Sequence, residues 1–466
     1  MKKTGSTILL LLWVVSGSFP AFGQTEEKEQ APSPYHILRA EENYAYLKGD
    51  SPYAHDPFDS IKFISLNDAS SVYLTFGGEV RPRFEYFGHE DWEEENATFY
   101  SQRLSVHGAL SLGSHVRLFS EVYHGLLSRP EKEFAQDDAL DLHQGFVELK
   151  VPVRDHTTLS ARVGRQELAY GSARLVGMRE GPNIRRSFDA ARMMYKAERL
   201  SLEGFVGSEV GLGFDVFDNT RNDAMTFWGF YGQYDTSFLP GATQFYYFGF
   251  DVDGARYAAG TGPETRHTLG IRRYGRLSPS FQFNTELMIQ FGTFGDSDIF
   301  AFAFETDYHY AFHDAPLKPV LGLKLDYISG DRKRDDGKLN TFNPMFTNPA
   351  YFGLLGQITP VNMIDVHPSL QLEVSEQAEL VLEWDVFWRA RTTDGLYSPP
   401  RFLKRAGQET NARFIGHQPG AQFAYRFGRH LAWSAEVSYF ITGGFIRETG
   451  PSRNILHVAS TLSYKI

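Results

Sequence analysis

The chain has 466 residues, 15 % aromatics, 43 glycines, no cysteine and a formal net charge of −11. The missing cysteine excludes disulfides, thiolate metal sites and a lipid-modified cysteine, and the negative balance argues against a nucleic-acid partner. Beyond residue 23 no run of 18 apolar residues occurs, which excludes a transmembrane helix.

Residues 1–23 have the plan of a secretory signal. Lys2 and Lys3 precede an apolar run from Ile8 to Val15, and Ala21-Phe22-Gly23 offers small residues for cleavage before Gln24. The next segment, residues 24–72, has no sustained periodicity. Between 24 and 60 it holds eight acids and three bases, with Pro32, Pro34, Pro52 and Pro57. We expect an acidic periplasmic leader with a short helix near Ala40 to Leu47.

From Tyr73 to Ile466 the pattern becomes a succession of segments of about ten residues, apolar at every second position. This is the signature of a transmembrane β-barrel, in which lipid-facing and lumen-facing side chains alternate. Between 380 and 391, Leu380, Leu382, Trp384, Val386, Trp388 and Ala390 share one face, and Glu383, Asp385, Arg389 and Arg391 lie on the other. Residues 74–86, 281–291 and 431–441 repeat the scheme. In a soluble core such a polar face would leave many charges desolvated, at several kcal/mol each unless paired. In a watery lumen it costs little, so a propeller or sandwich fits less well.

Strands are predicted near 73–88, 99–112, 115–128, 141–152, 156–165, 188–197, 199–209, 226–236 and 242–252. The remainder lie near 265–275, 280–292, 299–312, 316–330, 361–375, 377–391, 412–427, 430–443 and 453–466. That gives 18, an even number as single-chain bacterial barrels have. Short turns such as Gly113-Ser114, Ala197-Glu198 and Gly428-Arg429 should be periplasmic. The long connections 129–140, 166–187, 210–225, 331–360 and 392–411 should face outward. The chain ends on an aromatic-bearing strand, as barrel assembly requires, with Ile466 in last place.

Residues 162–192 carry the densest functional signal. Seven arginines (Arg162, Arg165, Arg174, Arg179, Arg185, Arg186 and Arg192) stand against Glu167, Glu180 and Asp189, a net +4 inside an acidic protein. Folded into the lumen, this link would narrow it and favour anions, because guanidinium forks pair bidentately with carboxylates. The competing reading is bracing: Glu79, Glu121, Glu148, Glu286 and Glu305 roughly balance Arg81, Arg83, Arg103, Arg117 and Arg272 on the lumen face, and most such charges only stiffen a wall.

Other chemistry is thinly supported. A hydrolase needs a histidine, a serine and an orienting acid within reach, and His143, His267 and His309 show no such partner set in the sequence. Asp331, Asp335 and Asp336 lack the ligand spacing of a calcium loop, so a solvated loop is expected there. No cofactor and no metal site are implied.

The segments Gly164–Gly177 (GRQELAYGSARLVG) and Arg179–Arg192 (REGPNIRRSFDAAR) resemble the signature of the alginate export porin family. More diffuse matches are Asp331–Phe346 (DRKRDDGKLNTFNPMF) and Gly416–Gly420 (GHQPG). The resemblance covers about Tyr73 to Ile466. It implies a monomeric 18-stranded barrel in the Gram-negative outer membrane that passes an anionic polysaccharide, or smaller anions, with periplasmic export proteins as partners. By motif position it makes the seven arginines anion contacts, with Asp189 orienting an arginine. The alternative function is a barrel hydrolase or a closed scaffold.

Overall fold

The computed structural model describes residues 35–49, 56–129, 135–236, 240–399 and 401–466. The signal segment 1–23 and the first part of the leader lie outside the described residues.

Eighteen strands form one closed antiparallel barrel. They are β1 (Val72–Gly88), β2 (Ala97–Leu112), β3 (Val116–Leu127), β4 (Asp138–Arg154), β5 (Thr157–Gln166) and β6 (Phe188–Lys196). Next come β7 (Leu200–Gly211), β8 (Met225–Asp235), β9 (Ala242–Tyr257), β10 (Gly260–Arg276), β11 (Phe281–Phe294) and β12 (Ser297–Ala311). The last six are β13 (Val320–Ile328), β14 (Met363–Glu373), β15 (Ala378–Arg389), β16 (Phe414–Arg426), β17 (Leu431–Thr442) and β18 (Ile455–Lys465). Each strand pairs with its sequence neighbour, and β18 closes on β1 with Tyr86 opposite Val458 and Glu79 opposite Lys465. Closure leaves no unpaired edge, the condition for crossing lipid with strands.

The two faces of the wall are sharply different. Phe76, Val80, Phe84, Leu269, Ile271, Phe300, Trp384 and Tyr439 are exposed on the outside, where bilayer replaces water. On the alternate positions Glu79, Arg81, Arg103, Glu121, Arg272 and Asp385 are buried inside. The predicted strands are all present. The largest extension is at the β9–β10 hairpin, where the predicted strands 242–252 and 265–275 leave residues 253–264 as a connection. Instead the ladder resumes after a bulge between Val252 and Ala255, because Ala255 and Tyr257 pack with Phe294, Leu339 and Tyr397.

Two expected outer loops turn inward. Residues 167–187, between β5 and β6, form loop L3; residues 329–362, between β13 and β14, form loop L7. In L7, residues 339–347 and 351–355 are buried. Even Asp331, expected on a solvated loop, is 3 % exposed, because Asp394 receives its amide and its carboxylate accepts from Asn340. The leader also departs from expectation. Two short 3-10 turns, Arg39–Glu41 and Ala45–Leu47, replace the single helix, and Ala40 packs inside the barrel against Ala109, Phe119 and Phe146, near the short 113–115 turn.

Candidate permeation site in the lumen

L3 begins where β5 ends. Gly164 has φ of +132°, and a Cβ there would meet the Gly145 carbonyl, so the last turn of the ladder before L3 requires glycine while still paired to Phe146 and Ala190. The loop then crosses the lumen. On one side the Arg81 guanidinium donates to the carbonyls of Glu180, Gly181 and Pro182 at 2.7–2.9 Å, and Arg103 donates to those of Asn183 and Pro182, each at 2.7 Å. On the other side Ser172 donates to Glu286 at 3.0 Å, and Arg174 meets Glu286 at 3.3 Å and Glu305 at 2.8 Å. L3 is thus pinned at both walls by charge-assisted bonds.

L7 completes the partition. Val176 and Phe346 form a parallel bridge, with Gly177 donating to the Phe346 carbonyl and the Phe346 amide donating to the Leu175 carbonyl. Phe346 sits against Phe188 and Phe227 at ring distances of 5.0 and 4.9 Å, in an aromatic core that includes Leu168, Val176, Phe342 and Phe352. Two loops far apart in sequence therefore bury apolar surface against each other, which sequence periodicity cannot register.

The predicted site residues fall together in this partition or on the wall beside it. Arg162 pairs with Glu148 at 3.3 Å and Glu41 at 3.1 Å. Arg165 forms a bidentate pair with Asp189, at 2.9 and 3.2 Å. Arg185 joins Glu180 and Glu167 and donates to the Ile37 carbonyl at 2.8 Å. Arg186 pairs with Glu209 at 2.7 Å and donates to the Phe346 carbonyl at 2.6 Å. Arg192 forks onto Glu203, with both contacts at 2.8 Å. Arg179 differs: it donates to the Ile184 carbonyl at 3.2 Å, its Nε has no hydrogen-bond partner, and its φ is +59°. Six of the seven arginines are therefore held by carboxylates, and Arg179 is the one without an ion pair among the described residues.

The leader is the part sequence reasoning missed. Arg39, buried, pairs with Glu42 at 2.7 Å, Tyr44 donates to Glu42, and Arg117 donates to the Ala40 carbonyl. Burial pushes the Lys62 ammonium down to about 8, where it lies over the Tyr35 and Tyr44 rings. The signal was present as charge complementarity: the acid excess of residues 24–60 mirrors the +4 of residues 162–192. The three candidate histidines are satisfied within the wall or lumen, His143 by Glu167, His267 by Tyr247 and His309 by Asp307, each at 2.8 Å.

A closed 18-stranded barrel with an apolar outer belt, a charged interior and inward loops is an outer-membrane channel of the porin class. The family model described as "Alginate export" matches residues 72–457. The chain belongs to that family and is a protein of the Gram-negative outer membrane. A comparison with curated proteins found no match. Among solved structures it is similar to three channels of Pseudomonas aeruginosa. OccK2 (OpdF) in complex with glucuronate shares 11 % identity over 84 % of this chain and 98 % of that one, with a TM-score of 0.56. OccK8 (OprE) shares 12 % over 84 % and 98 %, TM-score 0.55; OccK11 (OpdR) shares 12 % over 87 % and 97 %, TM-score 0.53. At that identity the likeness establishes the fold.

Proposed function

We propose that this channel passes anionic carbohydrate, an alginate-like polyuronate or smaller uronates, along the arginine-bearing face of L3. The observation that carries this reading is the arginine-rich segment 162–192, net +4 in an acidic protein, whose middle, residues 167–187, lies across the lumen between two wall strands. Fixed positive charge in a constriction favours anions, and the low dielectric of a protein-lined passage strengthens the attraction over its value in water. The glucuronate bound to OccK2 supports a uronate as the class of cargo.

The leader gives this reading a mechanism. Glu41 holds Arg162, and the Ile37 carbonyl holds Arg185, at the periplasmic entrance. Carboxylates of an incoming polyuronate carry the same chemistry and compete for the same guanidiniums, so entry of cargo exchanges one set of ion pairs for another. Arg162 keeps Glu148 and Arg185 keeps Glu167 and Glu180 throughout, so the exchange leaves neither guanidinium without a carboxylate.

The test is ion selectivity of the purified protein in a planar bilayer under a salt gradient, with and without polyuronate. Anion-selective conductance that the polymer blocks supports the proposal. Absence of conductance, or a cation preference indifferent to the polymer, overturns it.

A further inference from the structure

Away from L3, the lumen face of β13, β14 and β15 concentrates buried acid. Asp326 on β13 lies directly opposite Asp365 on β14 in the strand register, an arrangement of like charges that destabilises a sheet unless something neutralises it. Asp365, His367 and Asp385 each bring one ligand atom within 4.8 Å of the others. All three are buried, at 1 %, 3 % and 0 % exposure. Both carboxylate oxygens of Asp326 and of Asp365, and Oδ2 of Asp385, lack a hydrogen-bond partner. His367 contacts Asp385 at 2.5 Å through Nδ1 and Glu383 at 3.6 Å through Nε2.

Charge counting shows that neighbouring side chains do not balance this group. Asp326, Asp365, Glu383 and Asp385 bring four carboxyl groups together. Against these four carboxyl groups stand one ammonium, Lys324, and one imidazole, His367. Arg174 is committed to Glu286 and Glu305, and the Lys324 ammonium donates to the Tyr351 carbonyl at 2.7 Å. Buried carboxyls with so few cations beside them must take up protons or a bound cation, and a metal ion would use His367 as a neutral ligand.

We propose that Asp365, His367 and Asp385, with Asp326 beside them, form a binding site for a divalent first-row metal ion in the barrel wall, with zinc as the best-matched ion. One imidazole among carboxylates suits zinc better than calcium, which takes oxygen ligands alone. Bonds of about 2.1 Å would set ligand atoms roughly 3.0–3.4 Å apart, so the His367–Asp385 contact opens by less than about 1 Å on binding. The local ladder permits that movement: β14–β15 pairing is interrupted between Val366 and Ser369, where Pro368 has no amide to donate. The site also lies under L7. A Cβ on Gly353 would stand 2.9 Å from the Asp385 carboxylate, so the loop rests on the same group that the ion would neutralise.

The experiment uses the full chain folded in detergent micelles, stripped with a chelator, incubated with zinc and desalted, with retained metal measured by elemental analysis. The expected result is about one zinc per chain in the parent protein, reduced about tenfold or more in His367→Ala and Asp385→Asn. Asp336→Asn, in the exposed part of L7, should retain it fully. Folding of each variant is read from heat-modifiable gel mobility. A second readout needs no variant: cobalt(II) added to the parent chain should give visible ligand-field bands that zinc displaces. Retention below about a tenth of an equivalent with no cobalt bands, or retention unaffected by both substitutions, overturns the proposal.

Discussion

The Arg162 guanidinium lies 3.1 Å from the carboxylate of Glu41, joining β5 to a residue 121 positions earlier. The contact ties the leader to the arginine-rich segment and puts the leader inside the channel rather than beside it. Glu41 is half exposed (side chain 51 %), so the single pair is worth about 1 kcal/mol or less. Glu41→Gln should therefore leave conductance nearly unchanged. Deleting residues 24–62 removes Arg39, Glu42 and Lys62 together and should raise single-channel conductance severalfold. An unaltered conductance after deletion would show that the leader does not obstruct the entrance.

Arg185 and Arg179 sit six residues apart and should respond oppositely to removal. Arg185 is 2 % exposed and engages both Glu167 and Glu180; its loss removes a buried cation from a network in which Glu180 keeps Arg103 and Arg81 and Glu167 keeps His143. Arg185→Ala should cost about 3–5 kcal/mol of stability, seen as a lower unfolding midpoint in urea. Arg179 keeps only the Ile184 carbonyl, so Arg179→Ala should cost about 1 kcal/mol. Its effect should show in reversal potential, as a loss of anion preference. Equal loss of stability in the two variants would mean that Arg179 is a brace as well.

The contrast marks how far the sequence could be read. Period-two alternation has a local cause, one lipid face and one wet face, so strands such as Leu380–Arg391 were visible residue by residue. The arginines of 162–192 stood out because their charge opposes that of the whole chain. Their partners did not. Glu286 and Glu305 reach Arg174 across more than a hundred residues, and Val176 meets Phe346 only because two loops fold into the same space. Loop composition alone also misled at Asp331. Its charged neighbours Arg332, Lys333 and Asp335 remain exposed, whereas Asp331 is held inside by Asn340 and Asp394.

That burial gives L7 a pH dependence. Burial, with Asp394 nearby, pushes the Asp331 carboxyl up to about 6 from its ordinary 3.8. A raised carboxyl favours the folded loop when protonated. The stabilisation is complete below the unfolded value near 3.8 and is lost as pH rises through about 6. Amide exchange across 331–346 should therefore be slowest near pH 4 after correction for intrinsic rate, and faster above pH 6. In Asp331→Asn the corrected profile should be flat across this interval. A profile equally steep in the variant would assign the dependence to another group.

Phe346 links the two inward loops, and its removal tests whether they act as one partition. The ring packs against Phe188, Phe227 and the Arg186 guanidinium, the last at 5.2 Å. Phe346→Ala keeps the backbone bonds to Leu175 and Gly177 but leaves a cavity, weakening the docking of L3 on L7 by about 3–5 kcal/mol. Phe188, Phe227 and Phe250 stand on wall strands β6, β8 and β9. The ladder bonds of those strands are untouched, however, so the heat-modifiable mobility of the barrel should persist while conductance rises and becomes noisier. If conductance is unchanged and quiet, L3 is held by Arg81, Arg103 and Arg174 alone, and L7 is only a lining. If the barrel itself fails to fold, the aromatic core is part of the wall rather than a movable partition. The result thus separates a gate from a permanent plug by which part of the protein gives way first.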